Sequence, residues 1–111
     1  MTARPWKPAV ELDGALERGD LDYAIMLAKE VAEHQRRPID LDLALRLVAL
    51  VGASRPNSYD AWALRWLARW ITETPGATID GALDVAAGLA ALPVEPQAVE
   101  SIRRFGVRRE H

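Results

Sequence analysis

The chain has 111 residues, of which half are hydrophobic and 27% are charged, a composition typical of one globular domain rather than of a disordered segment. Fourteen basic and sixteen acidic residues give a net charge of −2, so overall charge supplies no general attraction to nucleic acid or anionic lipid. The absence of cysteine excludes disulfides, thiolate catalysis and cysteine-ligated zinc or iron–sulfur centres.

Hydrophobicity along the chain indicates a cytoplasmic protein. The first residues, MTARPWKPAVELDG, contain no apolar segment of the kind that a secretory signal requires. The longest apolar run, residues 85–94, is far shorter than the about 18 residues that cross a bilayer. We therefore expect a single domain over residues 1–111 with no membrane partner.

Turn and capping residues divide the first half of the chain into helices. Two prolines mark an extended lead-in over residues 1–8, and a short helix follows over residues 9–18, ended by Gly19. Asp20 has the position of an N-cap for a second helix that extends to about His34.

The third predicted helix is apolar on nearly every side. Residues 36–38 interrupt the chain, and Asp40 caps a helix over residues 41–52 whose charged side chains are Asp42 and Arg46, spaced i, i+4. A helix that is apolar all round lies at the centre of a domain, so this helix should be the most buried one.

Three further segments complete the helical pattern. Residues 59–72 form a tryptophan-rich helix, and an alanine-rich helix begins at Thr78 or Asp80 and extends to Leu92. A last helix ends at Gly106, before a basic tail (residues 106–111) that we expect to be flexible. The inward side chains of this last helix are Val99, Ile102 and Phe105. No segment alternates with period two over a useful length, so the fold class is all-α.

A shift of 40 residues aligns residues 20–52 with residues 60–92. It superimposes seven identical pairs, among them Asp20 on Asp60, Leu27 on Leu67, Ile39 on Ile79 and Asp40 on Asp80. The period suits a two-helix unit of the HEAT or armadillo kind. The sequence therefore predicts five or six helices in stacked antiparallel hairpins, a short α-solenoid-like bundle built from a two-unit repeat.

The tryptophan-rich helix is apolar on two opposite sides. At 100° per residue, one side is an ordinary aliphatic face formed by Leu64, Leu67, Ala68 and Ile71. The other is a tryptophan stripe formed by Trp62, Trp66 and Trp70, flanked by Arg65 and Arg69. The usual core pattern needs only the aliphatic face, so the stripe requires a covering element or a partner.

Two interpretations of the tryptophan stripe remain open. In the first, the last helix or the segment around Trp6 folds over the stripe, as terminal elements commonly cap helical repeats. In the second, part of it stays exposed as an interface, since tryptophan and arginine are enriched at binding hot spots. The candidate partner-binding residues are Trp62, Arg65, Trp66 and Arg69, with Trp62 the most exposed.

Two stretches resemble known families. Residues 15–33 are similar to the second half of a tetratricopeptide unit, with Gly19 and Asp20 at the hairpin turn, but no second unit follows at a shift of 34 residues. Residues 55–93 resemble small uncharacterised helical proteins of high-GC bacteria, and twelve arginines against two lysines fit such a genome. That resemblance implies no activity.

Residues with catalytic or metal-binding chemistry are scarce. His34 with Asp40 and Asp42 offers imidazole and carboxylate ligands, but the aspartates have positions typical of a helix cap and first turn. No histidine is placed to activate a serine, and the glycines of the alanine-rich helix do not form a phosphate loop. We expect no enzyme activity, no metal and no cofactor.

Two functions are compatible with these features. The favoured one is a protein-interaction or adaptor module that binds a protein partner or a second copy of itself through the tryptophan and arginine side chains. The alternative is a small nucleic-acid-binding regulator in which the tryptophan-rich helix or the arginine-rich tail supplies phosphate contacts. It is less favoured because Arg65 and Arg69 are the only basic residues of their helix, whereas groove-binding helices carry several basic and amide side chains.

Overall fold

The computed structural model describes residues 7–106 and confirms the all-α prediction: these residues form six α-helices and no strand. The helices are α1 (Pro8–Arg18), α2 (Leu21–Gln35), α3 (Leu41–Ser54), α4 (Tyr59–Glu73), α5 (Ile79–Ala91) and α6 (Ala98–Gly106), and a 3₁₀ turn (Pro56–Ser58) precedes α4. None of the helices in this part of the chain is both long and apolar enough to cross a membrane. Most of the predicted lead-in and the basic tail lie outside the described residues.

Side-chain caps fix where three of the helices begin. Asp20, Asp40 and Thr78 each accept a hydrogen bond from the backbone N–H three residues later, at 3.4, 2.8 and 3.0 Å. These bonds satisfy amide groups that have no partner within the helix. The predicted starts of α2 and α3 are thereby confirmed, and Thr78 rather than Asp80 caps α5.

The helices group into two compact units, Met1–Ile39 and Asp40–His111. In the first unit α1 packs along α2, and both helices bury aliphatic side chains such as Leu12 and Leu27. Gly19 ends α1 with a left-handed φ of 77°, a conformation that glycine adopts without steric cost.

The second unit has its own hydrophobic core. Within it α3 packs most extensively on α4, and α5 on α6. The buried residues of this core are Leu45, Val48, Tyr59, Ala63, Trp66, Trp70, Val85, Leu89, Leu92, Ala98 and Ile102. None of residues 41–52 is exposed, as the all-round apolar pattern of α3 predicts.

The 40-residue repeat finds no support in the packing. The first residues of α2 and α4, Leu21 and Tyr59, are 38 positions apart, and the helices that pack together are α1 with α2, α3 with α4, and α5 with α6. The proposed alignment also places buried Val31 on exposed Ile71. Identities such as Asp20 with Asp60 and Asp40 with Asp80 fall at helix starts, where aspartate is common whatever the tertiary packing.

Candidate protein-interaction surface

The tryptophan side of α4 lies in the core, and most of its aliphatic side is exposed. Trp66 and Trp70 are each only 3% exposed, whereas Leu64 is 65% and Ile71 48% exposed. The prediction that the aliphatic face forms the core is therefore wrong. Both stripes satisfy helical periodicity, so the pattern alone does not choose between them.

Trp66 and Trp70 belong to the same buried cluster as Ile102 of α6. The helices that α4 packs on are α3 and α5, so these two cover most of the stripe, whereas α6 packs on α5 and α3; the side chain of Phe105 and the segment around Trp6 lie outside the described part. Trp66 also donates from its indole Nε1 to the backbone oxygen of Leu41 in α3, at 2.9 Å. The buried indole N–H of Trp66 is therefore hydrogen-bonded, as buried polar groups generally are.

Tyr59 extends the buried side of α4 by two turns towards the start of the helix. Its hydroxyl donates to the backbone oxygen of Leu89 in α5 at 2.6 Å, which joins α4 to α5 inside the core. Burial, with a smaller contribution from the charge of Asp60, raises the pKa of Tyr59 from 10.0 to about 12. Sequence reasoning did not single out Tyr59, although it precedes Trp66 by seven residues and Trp70 by eleven, the spacing of one helix face.

The four candidate partner-binding residues do not form one surface. Trp66 lies in the core, and Trp62 is half-buried at its edge, with the exposed Arg65 guanidinium 5.4 Å from the centre of the Trp62 ring. Arg69 bonds to Glu73 through its Nε at 2.8 Å, and this bond lowers the pKa of Glu73. Trp62 and Arg65 together form a half-exposed rim beside the core.

The surface of α4 is instead its aliphatic side, which we call the α4 face: Ala61, Leu64, Ala68 and Ile71, all exposed. Their spacing of three, four and three residues makes one continuous stripe. Leu67, at its border, is half-buried against the core. The sequence pattern predicts Leu64, Ala68 and Ile71 in the interior and does not single out Ala61.

A second apolar stripe lies on α5, and we call it the α5 face: Ile79, Leu83, Ala86 and Ala90. Ile79 is 80% and Leu83 63% exposed. Asp80 and Asp84 are exposed along one border of this face. The opposite side of α5 packs tightly on α6, because a Cβ atom added at Gly88 would lie 2.6 Å from Ile102 Cγ1.

Two of the three residues considered as metal ligands in the sequence, Asp40 and Asp42, have structural roles. Asp40 caps α3, and Asp42 accepts an ion pair from Arg103 Nε of α6 at 2.6 Å. His34 is exposed in the last turn of α2. Among residues 7–106, no group of three or more histidine, cysteine, aspartate or glutamate side chains could hold a metal ion.

Comparison with known proteins adds no relationship. The chain matches no protein-family model, no curated protein and no solved structure. Two apolar helix faces with charged borders lie at the surface of the described residues, an arrangement that suits the binding of another apolar surface.

Proposed function

We propose that this chain is a non-enzymatic protein-interaction module that binds its partner through the α4 face. The observation that carries the proposal is the exposure of Leu64 and Ile71 on a helix whose opposite side is fully occupied by the core. Leaving a continuous apolar stripe in water is unfavourable by about 25 cal/mol per Å² relative to burying it.

The shape of the α4 face matches one recurring mode of recognition, in which a helix presents apolar anchors to a hydrophobic groove. Leu64 and Ile71 are the large anchors, two turns apart. Ala68, between the two anchors, and Ala61, one turn before Leu64, allow a partner to approach the helix closely. Half-exposed Trp62 and Arg65 would lie at the rim, where polar and amphipathic side chains commonly surround an apolar contact.

A capture experiment with matched charge variants tests this proposal. Wild-type chain and the variant Leu64→Glu/Ile71→Glu are immobilised, and the proteins retained from a lysate of the source cells are quantified. The control, Val10→Glu/Met26→Glu, replaces two exposed apolar side chains of the first unit. We expect proteins that the wild type and the control retain and that the α4 variant loses. Identical retention by all three chains would refute a role for the α4 face.

A further inference from the structure

The α4 and α5 faces have matching patterns of side-chain size and spacing. The α4 face repeats at three, four and three residues, and the α5 face at four, three and four. This is the alternation that lets two helices pack side chains into each other's gaps along a seam. Each face combines two large aliphatic side chains with two alanines, so the helices can approach closely.

The charged borders of the two faces have opposite sign. On α4, Arg65 follows the large residue Leu64 by one position; on α5, Asp84 follows the large residue Leu83 by one position, and an antiparallel overlap of the two faces brings residue 65 level with residues 85–86, next to Asp84. Both charges are therefore rotated by the same angle, and in the same direction, from their faces. Two antiparallel helices bring borders of the same hand together, so an antiparallel contact of the faces places arginine beside aspartate.

Within one chain the two faces do not cover each other. Leu64 on one and Leu83 on the other are each more than 60% exposed, and α4 meets α5 through other residues, such as Trp70 against Gly81. A contact between the faces must therefore join two molecules. Pairing α4 with α4, or α5 with α5, in the same antiparallel way would bring like charges together, which disfavours both alternatives.

We propose that the partner of the α4 face is the α5 face of a second copy of this chain, and that two such contacts close a two-fold dimer. In a two-fold interface the contact of α4 with the partner's α5 is repeated with the roles exchanged. This inference rests on the proposed function and names its partner.

Light scattering and sedimentation at increasing concentration test the dimer. We expect the wild type to approach twice the monomer mass and Leu64→Glu/Ile71→Glu to remain monomeric. The single charge reversals Arg65→Asp and Asp84→Arg should each raise the dissociation constant about tenfold or more, because each homodimer then pairs like charges. Glu95→Arg, an equal charge reversal outside both faces, should leave the dissociation constant unchanged.

Mixing the two charge reversals gives the sharpest test. In a dimer of one Arg65→Asp chain with one Asp84→Arg chain, both contacts pair an arginine with an aspartate, because the first chain then carries aspartate at both positions and the second carries arginine at both. The mixture should therefore form a one-to-one heterodimer near wild-type affinity. The same recovery is expected when both reversals are combined in one chain. Circular dichroism checks that every variant keeps its helices.

Three results would overturn the inference: a wild type that stays monomeric from micromolar to millimolar concentration, charge variants that fail to complement each other, or a mass that grows beyond two subunits. The proposed function fails separately. A monomeric wild type whose captured proteins still depend on Leu64 and Ile71 would refute the dimer and leave the interaction module standing. A complementing dimer whose only α4-dependent captured protein is a second copy of the chain would restrict the interaction to self-association.

Discussion

The tryptophan side and the aliphatic side of α4 differ little in their hydrophobic pattern and greatly in their surroundings. Trp66 and Trp70 lie between α3, α5 and α6, while Leu64 and Ile71 lie at the surface. The comparison shows which property of a stripe decides its burial: the area of its side chains outweighs the regularity of their spacing.

The free energy gained by burying an indole explains why both tryptophans lie in the interior, even where the indole N–H has no hydrogen bond. Trp70 Nε1 is buried with no hydrogen-bond partner among the described residues, which costs about 1–3 kcal/mol. Burying an indole removes about 150–250 Å² from water and contributes about 4–6 kcal/mol. The apolar gain therefore exceeds the polar cost at Trp70, and at Trp66 the bond to Leu41 avoids that cost altogether.

The largest expected difference between the two sides is in stability. Trp66→Ala should lower the free energy of unfolding by about 3–5 kcal/mol, because it leaves a large cavity and removes the hydrogen bond to Leu41. The matched surface change, Leu64→Ala, should alter it by no more than about 0.5 kcal/mol. Urea unfolding of both variants measures the contrast, and similar losses for the two would show that the sides are not distinct.

High pH should act on the buried side alone through Tyr59. Its pKa is about 12 in the folded chain and near 10.0 when unfolded, so folding favours the neutral hydroxyl. The stability this provides is complete below pH 10 and is lost as the pH rises through 12, by about 3 kcal/mol in total. The comparison is Tyr59→Phe, whose stability should fall less over the same range. Parallel pH profiles would contradict the burial of the hydroxyl.

The close contact of α5 with α6 provides a smaller test of the same contrast between packed and open helix sides. Gly88→Ala should cost about 1–3 kcal/mol, since the new Cβ meets Ile102 at 2.6 Å. Gly14→Ala is the matched change, because its new Cβ meets only the flexible end of Arg18 at 3.2 Å. We expect it to stabilise the chain by about 0.4–1 kcal/mol. Thermal melts that show the same sign for both would argue against tight packing at Gly88.

The smallest effect is expected at the polar border of α4. The bond from Arg69 lowers the pKa of Glu73, so its contribution is present above the ordinary carboxyl pKa and is lost as the pH falls. For an exposed i, i+4 pair we expect Glu73→Gln to cost about 0.3–0.5 kcal/mol at neutral pH. The cost should vanish in acid and shrink in high salt, and a cost that persists under both conditions would point to another role for Glu73.

The sequence predicted the helices better than it predicted their faces. Capping chemistry is local, so Asp20 and Asp40 indicate the starts of α2 and α3 without knowledge of the fold. The buried side of α4 is not a local property, because it depends on whether α3 and α6 offer a cleft wide enough for two indoles. For this reason the sequence pattern places Trp66 among the partner-binding residues, although its side chain is buried in the core.

The grouping of helices into two units was likewise beyond the sequence. A repeat alignment compares residues along the chain and favoured α2 with α3 as a hairpin, yet the unit boundary lies between Ile39 and Asp40. Ion pairs such as that of Arg103 with Asp42 join residues 61 positions apart and leave no periodic signal. For the candidate site, the sequence shows that α4 carries an aliphatic stripe but does not show that this stripe is exposed.

The pairing of each helix with its neighbour in sequence has a kinetic consequence. In the second unit α3 meets α4, and α5 meets α6, across short connections, so most of its contacts close small loops. Domains dominated by such contacts fold in microseconds to milliseconds. The hydrogen bond from Tyr59 to Leu89 and the ion pair from Arg103 to Asp42 span 30 and 61 positions, and we expect them to form last, when the two hairpins dock.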